Sequence, residues 1–204
     1  MGYKLLLATN NEGKIREYKI LLSSLACELV TLADLGITIE VNEIGGSLEE
    51  NARLKATFIA AESHLAALAD DSGLEVDALG GKPGPLSARY AGEGASDKER
   101  VDYLLSQLKS VPWEKRSARF RCVIAIATPS GEVELCSGEC RGVIAFEPKG
   151  EEGFGYDPVF YFPELNKTMA ELPMEIKNQV SHRGQAARQA YQLLDRLRGS
   201  KYFV

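Results

Sequence analysis

The stretch Leu65–Leu79, LAALADDSGLEVDAL, decides the fold. It reads as an apolar strand, two acids, a Ser-Gly turn and a second extended piece. Upstream, Tyr3–Thr9 (YKLLLAT) is a short apolar run with a polar end, which marks a buried strand. Ile15, Tyr18, Leu22 and Leu25 follow at helical spacing and define one face of a helix. Glu28–Leu32 (ELVTL) reads as a second strand. Ser47 and Glu50 form a capping box, and the helix it opens places Leu54, Phe58, Ala61 and Leu65 on one stripe. Strand, helix, strand, helix, strand argues for an α/β sheet.

Downstream, Gly80–Pro85 (GGKPGP) reads as a loop, because Gly and Pro dominate it. Ser96 and Glu99 form another capping box, before a helix with Val101, Leu104, Leu105 and Leu108 inward. Pro112 closes it. Ala118, Phe120, Cys122, Ile124 and Ile126 alternate along a strand, and Pro129–Gly131 turns the chain into an antiparallel partner through Val133 and Leu135. Asp157–Phe162 (DPVFYF) predicts one more strand, Pro173–Val180 a short helix, and Ser181 the cap of a final helix with Ala186, Ala190, Leu193 or Leu194, and Leu197 inward. The expected architecture is α/β: an elongated, mixed, bent sheet flanked by helices, in two lobes with a central cleft. Residues 1–198 form one domain and residues 199–204 a tail.

Composition narrows the function. At 204 residues, 45% apolar and 26% charged, the chain is ordinary for a globular protein. A net charge of −5 argues against a nucleic-acid partner, which usually needs a basic face. No apolar stretch reaches the length of a membrane span, and the first residues hold too short a run for a signal peptide. The four cysteines lack the second pair or nearby His that would complete a zinc site around CSGEC. They read as reduced thiols of a cytoplasmic protein.

Five segments place polar groups where strands or helices end, which is where α/β proteins bind ligands. Thr9-Asn10-Asn11-Glu12-Gly13-Lys14 runs from a strand into a helix N-terminus, suited to phosphate, with Lys14 adding a full charge. It lacks the P-loop glycines, and a plain Asn-capped turn would look the same. Asp70-Asp71-Ser72-Gly73 pairs two acids whose repulsion a divalent cation would offset, or one of which would take a proton from water. Glu40, Glu43 and Glu50 are further possible metal ligands. Gly153–Pro158 (GFGYDP) brackets a stacking Phe154 with glycines, though a bulge with core aromatics fits equally. Lys177, and Ser181-His182-Arg183-Gly184 at a helix start, complete the set; His64 reads as structural. These features suggest phosphates, a metal, a stacked ring and a base-edge reader. They do not choose between kinase, phosphatase and pyrophosphatase.

TNNEGKIRE, SLEENARLKA, ADDSGLEVDALGGKPGPLSARYAG, GFGYDPVF and SHRGQA occur in that order. Together they resemble the inosine/xanthosine triphosphate pyrophosphatase family over roughly Lys4–Arg198. The resemblance implies a homodimer that hydrolyses ITP, dITP and XTP to the monophosphate and pyrophosphate with Mg²⁺. It implies substrate contacts from Thr9 through Lys14, including Glu12 and Gly13, and from Lys55, Ser72, Phe154, Gly155, Tyr156, Asp157, Lys177, His182 and Arg183. Asp71 matches the proton acceptor and metal ligand. A second metal carboxylate falls at Glu40 or Glu43, with Glu43 favoured. A nucleotide-binding regulator without catalysis is the rival reading, which the paired acids argue against.

Overall fold

A computed structural model describes residues 3–38, 41 and 46–197. Glu40 and Glu43, and the tail at 199–204, lie outside the described residues.

The chain divides into two units. The first comprises residues 1–71, 122–138 and 183–204. Its strands β1 (Tyr3–Leu7) and β2 (Cys27–Thr31) pair in parallel, Leu5 opposite Leu29. β1 also pairs in parallel with the start of β3 (Ala66–Val76), Leu6 opposite Ala67. Parallel strands are covered on both faces, and both covers are visible here. One face carries Leu5, Leu7 and Leu68 against Tyr18 and Leu22, from and just beyond α1 (Glu12–Leu21), and against Ala186, Ala190 and Leu194 of α5 (His182–Leu197). The other carries Leu6, Ala67 and Ala69 against Ala52, Ala56, Ile59 and Ala60 of α2 (Leu48–Ser63).

The second unit comprises residues 72–121 and 139–182. Its core gathers Val101, Leu104 and Leu108, from and just beyond α3 (Asp97–Gln107), with Phe120, Phe160 and Phe162. β4 (Pro83–Gly84) pairs antiparallel with β3, and β7 (Phe160–Phe162) pairs with β6 (Val133–Ile144) and β8 (Lys167–Thr168). α4 (Met174–Val180) precedes α5. With β5 (Ser117–Ala127) the strand order is β2-β1-β3-β5-β6-β7-β8, β4 lying off this path on β3. β3, β5 and β6 contribute residues to both units. Among the described residues no helix is long and apolar enough to cross a membrane.

Several local expectations change. Asp70-Asp71-Ser72-Gly73 is not a turn: β3 runs straight through it. Gly73 permits this, because a Cβ there would collide with the Gly84 carbonyl of the strand paired alongside. GGKPGP is accordingly not all loop, since its Pro83-Gly84 is that strand. The α2 stripe is also different. Leu54 and Phe58 are exposed, whereas Leu48, Asn51, Ala52, Ala56, Ile59 and Ala60 are buried. The face turned to the sheet is made of small alanines together with Leu48 and Ile59. Ser47 caps α2 as expected, but Glu50 accepts from the Gly46 amide at 2.7 Å instead of closing the box. The Ser96–Glu99 box is complete. Of DPVFYF only Phe160–Phe162 is strand.

Candidate active site

The site residues of the first unit converge on the middle of β3. Asp70 and Asp71 alternate across a strand, so their carboxylates leave on opposite faces. Asp70 is fully buried. Lys14 Nζ reaches its Oδ1 at 2.9 Å. Arg183 reaches its Oδ2 at 3.4 Å through Nε while Nη1 holds Glu17 at 2.7 Å. Burial opposes charge on Asp70, but Lys14, Arg183 and Lys55 outweigh it and hold the carboxyl well below the usual range. Burial likewise opposes charge on Arg183, and Glu17 and Asp70 overcome it. This explains how a cation is tolerated in the first turn of α5, where the helix dipole disfavours it.

Asp71 keeps slightly more exposure, its side chain 7% accessible against 0% for Asp70. Asn51 of α2 donates to its Oδ2 at 2.9 Å. Lys55, one turn further along the same helix, stands 3.9 Å from Oδ1 and donates to the Asp70 carbonyl at 2.7 Å. Lys14 donates to that same carbonyl at 3.3 Å. Two lysines from two helices are thus gathered at one point of one strand.

The approach to Lys14 is built by the turn before α1. Asn11 caps the helix, its side chain accepting from the Lys14 amide at 3.0 Å, and its own amide donates to Thr9 Oγ1 at 3.2 Å. Asn10, Asn11 and Glu12 are exposed, while Gly13 is buried. Ser72, the next residue after Asp71 on β3, is half-buried.

In the second unit Phe154, Gly155, Tyr156 and Asp157 form one turn. Asp157 Oδ2 accepts from the Phe154 amide at 2.9 Å and pairs with Lys177 Nζ at 2.5 Å. Lys177 also lies 4.9 Å from the centre of the Phe154 ring. Gly153, at φ +79°, is required twice: a Cβ there would strike both Asp157 and Lys177. Asp97 at the start of α3 accepts from the Gly155 amide at 2.6 Å, and Tyr156 donates to the Ser87 carbonyl at 2.9 Å. His182 is buried, its ring stacked on Phe120 at 4.6 Å between centroids.

Sequence reasoning passed over Asn51, Glu17, Asp97 and Phe120. Two left a signal: Asn51 precedes Lys55 by one turn of α2, and Glu17 follows Lys14 by one turn of α1. Asp97 and Phe120 reach their partners only through tertiary structure.

Among the described residues no group of three His, Cys, Asp or Glu could cage a metal ion. Mg²⁺ does not need a cage, since it commonly takes one or two carboxylates plus substrate phosphates. Asp71 supplies one. The described carboxylates Glu17, Asp70 and Asp71 already face Lys14, Lys55 and Arg183, charge for charge. A polyphosphate entering here would bring uncompensated negative charge, so the donor set fits a divalent cation.

Residues 5–193 match the Ham1 family profile. The dITP/XTP pyrophosphatase of Desulforamulus reducens is 52% identical over 95% of this chain and 96% of its own length. That of Bacillus subtilis is 45% identical over 93% of this chain and 96% of its own. Among solved structures, the Ham1 protein of Staphylococcus aureus superposes with a TM-score of 0.83 at 42% identity, covering 94% of this chain and 98% of that one. A HAM1 protein from Coxiella burnetii gives 0.86 at 40% identity, covering 95% and 99%. A fold, a site and a sequence match that all run the length of the described chain lead to one assignment: this chain belongs to the Ham1 family.

Proposed function

We propose that this chain hydrolyses non-standard purine nucleoside triphosphates, ITP, dITP and XTP, to the monophosphate and pyrophosphate, and so cleanses the nucleotide pool. The observation that carries the reading is the meeting of Lys14, Lys55 and Asp71 at the centre of β3. The two lysines offer ammonium donors to the phosphates at that point, and the acid beside them accepts a proton from the attacking water. Asn51 fixes one carboxylate oxygen of Asp71, so the acid's orientation is set before substrate arrives. The buried Asp70 is a structural anion: it holds Lys14 and Arg183 in place and is spent on them.

Asp71 would hold Mg²⁺, with Glu43 or Glu40 as the second carboxylate. When bound, it would supply positive charge against the negative charge that develops on the phosphates in the displacement. Thr9 through Lys14 take the phosphates at the start of α1, and Ser72 adds a hydroxyl beside Asp71. For the base, Phe154 supplies the stacking ring, while Lys177 and Asp157 fix the turn that carries it. His182 and Arg183 read the base edge. The guanidinium of Arg183 already engages Glu17 and Asp70, so its second task is to hold Asp70, and His182 is the better-supported reader. A homodimer in the cytoplasm completes the proposal; four free cysteines suit that reducing compartment.

The 6-oxo group of hypoxanthine and xanthine only accepts hydrogen bonds, whereas the 6-amino group of adenine donates. Sites built on such a bond reject an analogue lacking it by up to roughly 10⁴–10⁵. The expected result is therefore a kcat/KM for ITP far above that for ATP, both with Mg²⁺. Equal values would remove the base assignment. Tight ITP binding with no turnover would leave the regulator in its place.

A further inference from the structure

We propose that Cys140 and Phe120 are positioning residues for His182, holding its imidazole with Nδ1 as acceptor and Nε2–H as the donor offered to the 6-oxo group of the base. The inference rests on the reading of the chain as a pyrophosphatase of 6-oxo purines and gives that reading a mechanism for base choice.

Two neighbouring strands of the second unit supply the parts. Phe120 of β5 lies parallel to the His182 ring, the planes 11° apart at 4.6 Å. Stacking fixes the plane of an imidazole but not which edge faces which way. A half-turn about the ring axis exchanges Nδ1 for a carbon and leaves the stack intact. Cys140 of β6 breaks that degeneracy, with its Sγ 3.9 Å from Nδ1. Both side chains are enclosed, Cys140 at 6% exposure and His182 at 4%, so water is a poor competitor for this nitrogen.

The direction of the bond follows from the chemistry of the sulfur. Burial pushes the Cys140 thiol up to about 12, so it keeps its proton throughout the physiological range. A thiol sulfur is a weak acceptor and a neutral imidazole nitrogen a good one, so the S–H is the group suited to donate to Nδ1. A neutral imidazole that accepts at Nδ1 carries its proton on Nε2. Nε2–H then meets an acceptor and turns a second donor away. A 6-oxo purine offers the acceptor and adenine the donor. The opposite tautomer, with Nδ1–H directed at sulfur, would present a bare Nε2 and prefer adenine. A thiol on β6 therefore sets the sign of base preference.

The test is direct because the chain has two histidines, His64 and His182. Long-range ¹H–¹⁵N spectra of the full-length protein, with His64→Gln to assign the signals, report the tautomer of each ring. The expected wild-type result is His182 protonated at Nε2 alone. Cys140→Ala is expected to mix the tautomers and narrow the ITP-to-ATP ratio of kcat/KM by about 2- to 12-fold, the worth of one ordinary hydrogen bond. Most of that change falls in KM for ITP. Cys140→Ser keeps a donor and is expected to restore both tautomer and ratio. A wild-type His182 protonated at Nδ1, or at both nitrogens, overturns the proposal. So does a Cys140→Ala variant with an unchanged tautomer, whatever its stability, since a packing role alone would not move the spectrum. If wild type releases no pyrophosphate from ITP, the functional reading fails, and the spectrum still decides separately whether Cys140 controls the tautomer.

Discussion

Asp71→Asn is expected to lower kcat for ITP by at least 10²–10⁴-fold, the range for loss of a general base alone. The substitution keeps the shape of the side chain and removes its charge. Asn51 can still donate to the amide oxygen at position 71, so β3 and α2 stay in register. The ion pair to Lys55 is lost, but at 3.9 Å it is long and carries less Coulomb energy than a close pair. Activity should therefore collapse while the unfolding transition hardly moves. Steady-state kinetics at saturating Mg²⁺, with a denaturant titration alongside, measure both. More than about a tenth of wild-type kcat would transfer the proton-accepting role elsewhere. Asp70 is a poor heir, since its side chain is wholly enclosed and engaged by Lys14 and Arg183.

Arg183→Ala should show the reverse balance, with a large loss of stability. Glu17 and Asp70 share this guanidinium in the interior, at 2.7 and 3.4 Å. Removing one partner of a buried ion pair typically costs about 3–5 kcal/mol, because the remaining charge stays buried and uncompensated. The pH dependence has a definite sign. Asp70 is held below its unfolded value, so the stability it contributes is present above the unfolded pKa of about 3.9 and is lost as pH falls through the folded value. Without Arg183 the folded value rises toward the unfolded one, so Asp70 contributes less stability and its acid-side loss is smaller and complete at higher pH. Urea midpoints for wild type and variant, from neutral pH down through about pH 3, test this. Identical midpoints and an identical acid limb would mean that Glu17 and Asp70 do not depend on the guanidinium.

Much of the fold was legible because periodicity was strong where packing was ordinary. Leu5, Leu7, Tyr18, Leu22, Ala186, Ala190 and Leu194 lie buried in one core cluster, as their spacing requires. The failures share a cause. Leu54 and Phe58 look like a core stripe but face outward, since α2 turns its alanines and Asn51 to the sheet. Ser72-Gly73 has turn composition, yet close approach of Gly84 demands glycine inside a strand. In both places a neighbour far away in sequence overrode the local signal. The site divides in the same way. Lys14 and Asp71 were visible as charges where a strand was expected to end or a helix to begin, whereas Lys55, inside α2, came only from the family resemblance. The task of Asp70 as buried anchor, the hold of Asp97 on the Gly155 amide and the stack of Phe120 on His182 depend on pairings that no local pattern encodes.

The central claim is the bond that breaks. Incubation of the protein with ITP and Mg²⁺, with products resolved by phosphorus NMR, identifies it in one spectrum. Two lysines and Asp71 gathered at one point of β3, in a Ham1 family chain, predict IMP and inorganic pyrophosphate in equal amounts from the first turnover. IDP and orthophosphate would contradict the account, because cleavage would then fall at the terminal phosphate.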